Sequence, residues 1–282
     1  MKAALARWAA ITLLGLAGNA GAQPTAPPSQ LVLGIVPQFP AVELQRRWAP
    51  VVDWLEKACK LSIRLDFAAS IPVFEERFLA GQHDLAYMNP YHAVMAYRAQ
   101  RYEPLVRDGQ GMLKGVLTVR TDGTVQRLQD LQGATIAFPS PNAFGASLYM
   151  RALLERTHGI RFTPFYAKTH SNAYRHVLKG EALAAGGVGS TLAAETPEVQ
   201  SQLRVLYETP PTAPHPLVAH QRVNTEQKRC ITEQLTAADL PQAKRDWLDE
   251  IQMPKPIRAV YGRDYQPLEK LALESYVVHS AP

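Results

Sequence analysis

Cysteine is scarce: Cys59 and Cys230 are the only two in 282 residues, and they lie too far apart in sequence for the paired Cys/His spacing of a metal site. The eight histidines contain no His-x-x-x-His pair and no acidic residue neighbours His170, so no metal is expected. No Gly-x-Ser-x-Gly run occurs either; the nearest, Gly187-Val188-Gly189-Ser190-Thr191, lacks the final glycine of a nucleophile elbow. An enzyme is therefore not expected, nor is a cofactor. Beyond the N-terminus no apolar stretch approaches the about 20 residues that cross a bilayer. Charge of one sign is also in short supply. A formal +5, dispersed along the chain, argues against nucleic acid and is compatible with a small anionic ligand.

At the N-terminus, Lys2 and Arg7 precede a short apolar run, residues 8–17, and then Ala20-Gly21-Ala22, a small-x-small cleavage pattern. This is the pattern of a secretory signal peptide, residues 1–22, cut after Ala22. Removing Lys2 and Arg7 lowers the charge of +5 by two, to +3. Residues 23–30, rich in Pro, Ser and Gln, read as a flexible leader. The mature protein is expected to be exported, soluble and monomeric. In an exported protein Cys59 and Cys230 can pair if their Cα atoms lie within about 7 Å; two small buried thiols are the alternative.

Strand and helix patterns alternate from residue 31 onward. Residues 31–37 read as a strand, and 42–59 as a helix with Leu44, Trp48, Val51, Val52 and Leu55 on one face. A strand at 61–67, a helix capped by Ser70 with Pro72 in its first turn, and a short strand at 84–88 follow. The order repeats: strand 133–138, helix 144–156, strand 161–167, a helix over 172–179 with Ser171 as its cap, strand 183–188. Residues 111–120 are long enough to cross between two lobes, and 208–216, with four prolines, make a return crossing. Helices around 225–235 and 243–251 complete the first lobe. The spacing predicts an α/β fold with mostly parallel sheets, whose ligands sit at the carboxyl ends of strands.

Three strand exits carry neutral hydrogen-bonding residues: Tyr87-Met88-Asn89-Pro90-Tyr91-His92, then Phe138-Pro139-Ser140-Pro141-Asn142-Ala143-Phe144-Gly145-Ala146-Ser147, then Lys168-Thr169-His170-Ser171-Asn172-Ala173-Tyr174-Arg175. The second joins a buried strand directly to a helix, where free N–H groups and the positive end of the dipole suit an anion. An ordinary cap through Ser140 or Asn142 is the competing reading. Tyr87 reads either as a core aromatic or as a ligand contact, His170 as a surface or ligand histidine, and His92 as a surface histidine or cap neighbour. Arg175, beyond the first helical turn, reads as solvated.

Those segments, with Leu128-Gln129-Asp130-Leu131-Gln132-Gly133-Ala134 between them, fall in the order of a known family. From residue 31 to the end the chain resembles the periplasmic solute-binding proteins of phosphate, phosphite and phosphonate ABC importers. The resemblance implies a two-lobed type II periplasmic binding fold, each lobe a mostly parallel sheet flanked by helices, closing on an oxyanion in the cleft between them. Lobe I would comprise residues 31–110 and the return segment 216–282, and lobe II residues 111–215. In that family a Tyr of the first lobe, the central turn and a His at the next exit contact the phosphonate oxygens. With the strand-exit reading, the expected ligand residues are Tyr87, Asn89, Ser140, Asn142, Ala143, Phe144, Gly145, Ser147, His170, Ser171 and Asn172. The implied partner is an inner-membrane ABC permease, with a membrane kinase or receptor as the alternative.

Two departures bear on the ligand. Pro141 removes a backbone N–H, and Phe144 adds bulk, where the family has a compact Ser/Thr-rich turn. After the strand at 183–188 the family tends to carry an acid, whereas Gly186-Gly187-Val188-Gly189-Ser190-Thr191 has none. An aminoalkyl phosphonate is therefore disfavoured, and another oxyanion or a different small polar ligand stays open. Gly186 and Gly187 either admit a close neighbour or are simple turn glycines.

Overall fold

The computed structural model describes residues 30–279. The signal-peptide reading, and all of the leader but Gln30, lie outside the described residues. Two sheets are formed. The first has six strands, in the order β11 (Pro256–Arg258), β4 (Glu103–Asp108), β10 (Pro216–Ala219), β3 (Leu85–Tyr87), β1 (Leu31–Ile35), β2 (Ile63–Phe67), and the second five, in the order β7 (Thr163–Tyr166), β6 (Thr135–Phe138), β8 (Ala184–Val188), β5 (Gly115–Arg120), β9 (Leu203–Glu208).

In the first sheet, β1 (Leu31–Ile35) lies parallel between β2 (Ile63–Phe67) and β3 (Leu85–Tyr87). The expected apolar face of α1 (Ala41–Cys59) is buried through Leu44, Trp48, Val51, Val52 and Leu55. The helices α2 (Ile71–Leu79) and α3 (Pro90–Gln100) follow β2 and β3, with prolines in their first turns, where a missing N–H costs nothing. Strand β4 (Glu103–Asp108) then leads to a crossing into the second sheet.

That sheet contains β5 (Gly115–Arg120), β6 (Thr135–Phe138), β7 (Thr163–Tyr166), β8 (Ala184–Val188) and β9 (Leu203–Glu208). The chain returns through β10 (Pro216–Ala219), α8 (Thr225–Leu235), α9 (Gln242–Glu250) and β11 (Pro256–Arg258). Between β6 and β9 lie α4 (Tyr149–Ala152), α5 (His170–Leu178), α6 (Gly189–Ala193) and α7 (Pro197–Gln202).

Most strands in each sheet share one direction, as expected, but both sheets are mixed. In the first, β10 runs antiparallel to β3 and β4, and β11 antiparallel to β4. In the second only β5 is reversed, antiparallel to both β8 and β9. The cause is geometric. The parallel strands end at the boundary between the sheets, so a strand that begins there, as β5 and β10 do, must run the other way. The run 111–120 accordingly splits: residues 109–114 cross, and 115–120 are strand. The two crossings pair with each other, Leu113 N–H donating to Thr212 O at 2.8 Å and Thr212 N–H to Leu113 O at 3.0 Å.

Two further expectations are refined. The helix after β6 is not regular: wide π turns at Phe144–Leu148 and Leu153–Thr157 flank the α-helical turn α4. The cap of α5 is Thr169, whose Oγ1 accepts from Asn172 N–H at 3.1 Å, rather than Ser171, whose hydroxyl donates to Glu195.

Cys59 and Cys230 are joined, Cα to Cα 5.8 Å, fixing the end of α1 to α8. The alternative of two free thiols is thereby set aside. The largest core cluster surrounds the first sheet and continues into Ala143, Phe144, Ala146, Leu148 and Tyr149. Smaller clusters pack the second sheet on both faces. The tail also reaches the second sheet's helix: Arg151 donates to Tyr276 O at 2.7 Å and Arg156 to Leu271 O at 2.8 Å.

Candidate functional site

A cavity of about 430 Å³ opens between the sheets, at the carboxyl ends of their parallel strands. From the first sheet it takes Val36, Pro37 and Gln38 after β1, Ala69 to Pro72 after β2, and Asn89 after β3. From the second it takes Pro139, Ser140, Pro141 and residues 143–146 after β6, Tyr166, Lys168, Thr169 and His170 at β7, and Val188. The crossings contribute Leu113 and His215.

Six of the expected residues line this cavity: Asn89, Ser140, Ala143, Phe144, Gly145 and His170. The turn after β6 supplies its distinctive chemistry. No side chain caps the helix that starts at Phe144. The first helical N–H groups have no partner one turn back, and those of Phe144, Gly145 and Ala146 donate to no acceptor among the described residues. Three donors and the positive end of a dipole thus meet at the cavity wall. The glycines make this approach fit. A Cβ on Gly145 would lie 2.7 Å from Leu113, and one on Gly186 would lie 2.0 Å from Ala146 O. Gly186 admits the helix backbone and Gly187 the Tyr174 hydroxyl, so neither is a plain turn glycine.

His170 is buried, its Nδ1 3.3 Å from Thr191 Oγ1. Desolvation pulls its pKa down to about 4, so at neutral pH it presents an uncharged ring. His215 behaves alike, pulled to about 3 chiefly by burial and further by neighbouring His92 and His170. Gln38 Nε2 donates to His215 Nε2 at 3.1 Å. Asn89 is committed more heavily: Oδ1 accepts from His92 N–H at 2.8 Å, and Nδ2 donates to Asn142 O at 3.3 Å.

The other five expected residues do not line this cavity. Asn142 turns away from it because its amide is engaged: Nδ2 donates to Glu75 Oε2 at 2.7 Å and Val278 O at 2.8 Å, and Oδ1 accepts from Val278 N–H at 2.9 Å. Ser147 is fully buried, its Oγ 3.3 Å from Arg151 Nε, and its N–H closes the helix onto Ala143 O. Ser171 is spent on Glu195, and Asn172 Nδ2 donates back to Ala167 O at 3.1 Å.

Tyr87 is buried, its ring 5.0 Å from Trp48 and 5.5 Å from His215. It borders a neighbouring cavity of about 270 Å³ with Asp108, Lys114 and Glu208. Burial raises the pKa of its hydroxyl. His92 is not at the surface. It is 1 % exposed, with Nε2 2.8 Å from Glu75 Oε1, because α2 packs over it.

Gln38, Ser70 and His215 line the cavity without having been expected there. The strand-exit rule that marked three exits applies equally to those of β1 and β2, and would have found Gln38 and Ser70. His215 carries no such signal, being one residue of a proline-rich connector.

Known structures share this architecture. A binding-protein component of an ABC phosphonate transporter from Pseudomonas aeruginosa superposes with a TM-score of 0.76 at 16 % identity, over 88 % of this chain and 86 % of that one. A Prochlorococcus marinus protein in complex with methylphosphonate gives 0.78 at 16 % identity, over 89 % and 100 %. A Xanthomonas citri protein bound to chloride ion gives 0.75 at 15 % identity, over 88 % and 99 %. At such identities these likenesses establish the two-lobed fold. The sequence itself matches, over residues 33–265, the model of the periplasmic substrate-binding proteins of phosphonate ABC transporters, and the chain belongs to that family.

Proposed function

We propose that this protein captures a small oxyanion of the phosphonate, phosphite or phosphate class in the periplasm and delivers it to an ABC permease in the inner membrane. The observation that carries this reading is the trio of unpaired N–H groups at residues 144–146, on the wall of a cavity shared by both sheets. Neutral donors hold an anion through dipoles without a strong ion pair, so binding remains reversible. Ser140 and the uncharged His170 add to that set, while Lys168, at the rim, is the one cation lining the cavity among the described residues. Two structural neighbours hold anions, methylphosphonate in one and chloride in another, which supports an anion in this fold.

Because the cavity is lined from both sheets, a bound anion favours the state in which the lobes are closed. Family membership favours import over the sensing alternative.

A thermal-shift screen with phosphate, phosphite, methylphosphonate, aminoethylphosphonate, sulfate and uncharged polar metabolites tests this. Stabilisation by phosphorus oxyanions is the expected result. Stabilisation by an uncharged ligand alone would defeat the reading.

A further inference from the structure

The cavity is far larger than a bare oxyanion, and part of its wall is apolar. A tetrahedral oxyanion displaces the volume of two or three waters, at about 30 Å³ each, against about 430 Å³ here. Among its lining residues Val36, Ile71, Pro72, Leu113, Phe144 and Val188 offer apolar surface from both sheets and a crossing. Phe144 is held in place, its ring parallel to those of Tyr91 and Tyr149 at 6.2 and 5.6 Å. That wall belongs to a packed core, so when the lobes close it moves as a rigid surface against whatever the ligand carries beyond its oxyanion.

No carboxylate lines the cavity among the described residues. The nearest acid in the network, Glu75, is bound to His92 and Asn142. In the adjoining cavity Asp108 is bound by the N–H groups of Gly111 and Lys255, and Glu208 by Lys114. An ammonium group placed here would lose water and meet no carboxylate on the cavity wall, which disfavours it.

Resting on the anion reading of the same cavity, we propose that the ligand is an organophosphorus acid whose substituent is uncharged, apolar and several carbons in size. Its acidic head is held by the N–H groups of residues 144–146, and its substituent lies against the apolar wall. Neither inorganic phosphate nor an aminoalkyl phosphonate fills this site well.

Isothermal titration of the intact protein with phosphate, methyl-, propyl-, butyl-, phenyl- and 2-aminoethylphosphonate tests the inference. Affinity is expected to rise along the uncharged series, by about two- to fourfold per buried methylene. The heat-capacity change should become more negative as the substituent grows. Aminoethylphosphonate should bind more weakly than propylphosphonate, which has the same length. Phosphate or methylphosphonate binding as tightly as the butyl and phenyl compounds would overturn this inference and leave the anion reading standing. Binding of none of these acids would overturn both.

Discussion

Glu75 and Asn142 meet across the boundary between the two sheets, Asn142 Nδ2 donating to Glu75 Oε2 at 2.7 Å. Glu75 belongs to α2 and Asn142 to the turn after β6, and the other Glu75 oxygen is 2.8 Å from His92 Nε2. All three side chains are buried. The turn that offers N–H groups to the cavity is thereby clamped from the opposite sheet and from the tail at Val278.

Removing that clamp should loosen the turn. Glu75→Ala takes one buried partner from Asn142 Nδ2 and one from His92 Nε2, which keep Val278 O and Asn89 Nδ2, and should cost about 1–3 kcal/mol in all. Urea denaturation should show a loss on that scale, and calorimetry a weaker affinity for the best-binding phosphonate. Wild-type affinity in a folded Glu75→Ala protein would show that the turn holds its place without the clamp.

His170 and Tyr87 should separate in their effects. His170→Ala removes a polar group from the cavity wall and should weaken binding about tenfold or more, with little change in melting temperature, as expected for a lost hydrogen bond to a charged ligand. Tyr87→Phe keeps the ring that packs on Trp48 and should cost far less affinity. The reverse order, read by titration calorimetry, would return Tyr87 to the ligand and remove His170.

Acid should destabilise the fold through its buried histidines. His170 and His215 have pKa values of about 4 and about 3, below the ordinary value of 6.5. As pH falls from 6.5 the unfolded state takes up protons that the folded state refuses. Stability is therefore full above pH 6.5 and declines toward pH 4, on the order of 1 kcal/mol per pH unit for each histidine. Urea midpoints measured between pH 7 and 4.5 should show this slope, flattened in a His170→Gln, His215→Gln protein. An equal slope in both would assign the acid sensitivity elsewhere.

The disulfide should matter for stability. Replacing Cys59 and Cys230 by Ser should cost about 2–4 kcal/mol, the range for closing a long loop. Reduced wild-type protein should unfold at the same temperature as the double variant, and a melting temperature unchanged from the oxidised protein would contradict this.

Much of the fold was legible because it follows from local pattern. The apolar spacing Leu44, Trp48, Val51, Val52, Leu55 marked α1, and Ser70 with Pro72 marked the start of α2. The site was legible only to the level of segments. Each marked strand exit does reach the cavity, yet which side chain points inward depends on distant partners. Asn142 looks like a donor in sequence, but Glu75, 67 residues earlier, takes its amide. His92 looks like a surface histidine until α2 closes over it. The reversed direction of β5 and β10 is equally invisible locally, since it is set by where the chain crosses between sheets.

The bond between Cys59 and Cys230 spans 171 positions of sequence. Everything from β2 to β10, the whole second sheet and both crossings included, lies inside one covalent ring. A protease cut at either crossing would thus yield two fragments still tethered through sulfur, and the second sheet could not diffuse away from its partner until the ring was reduced.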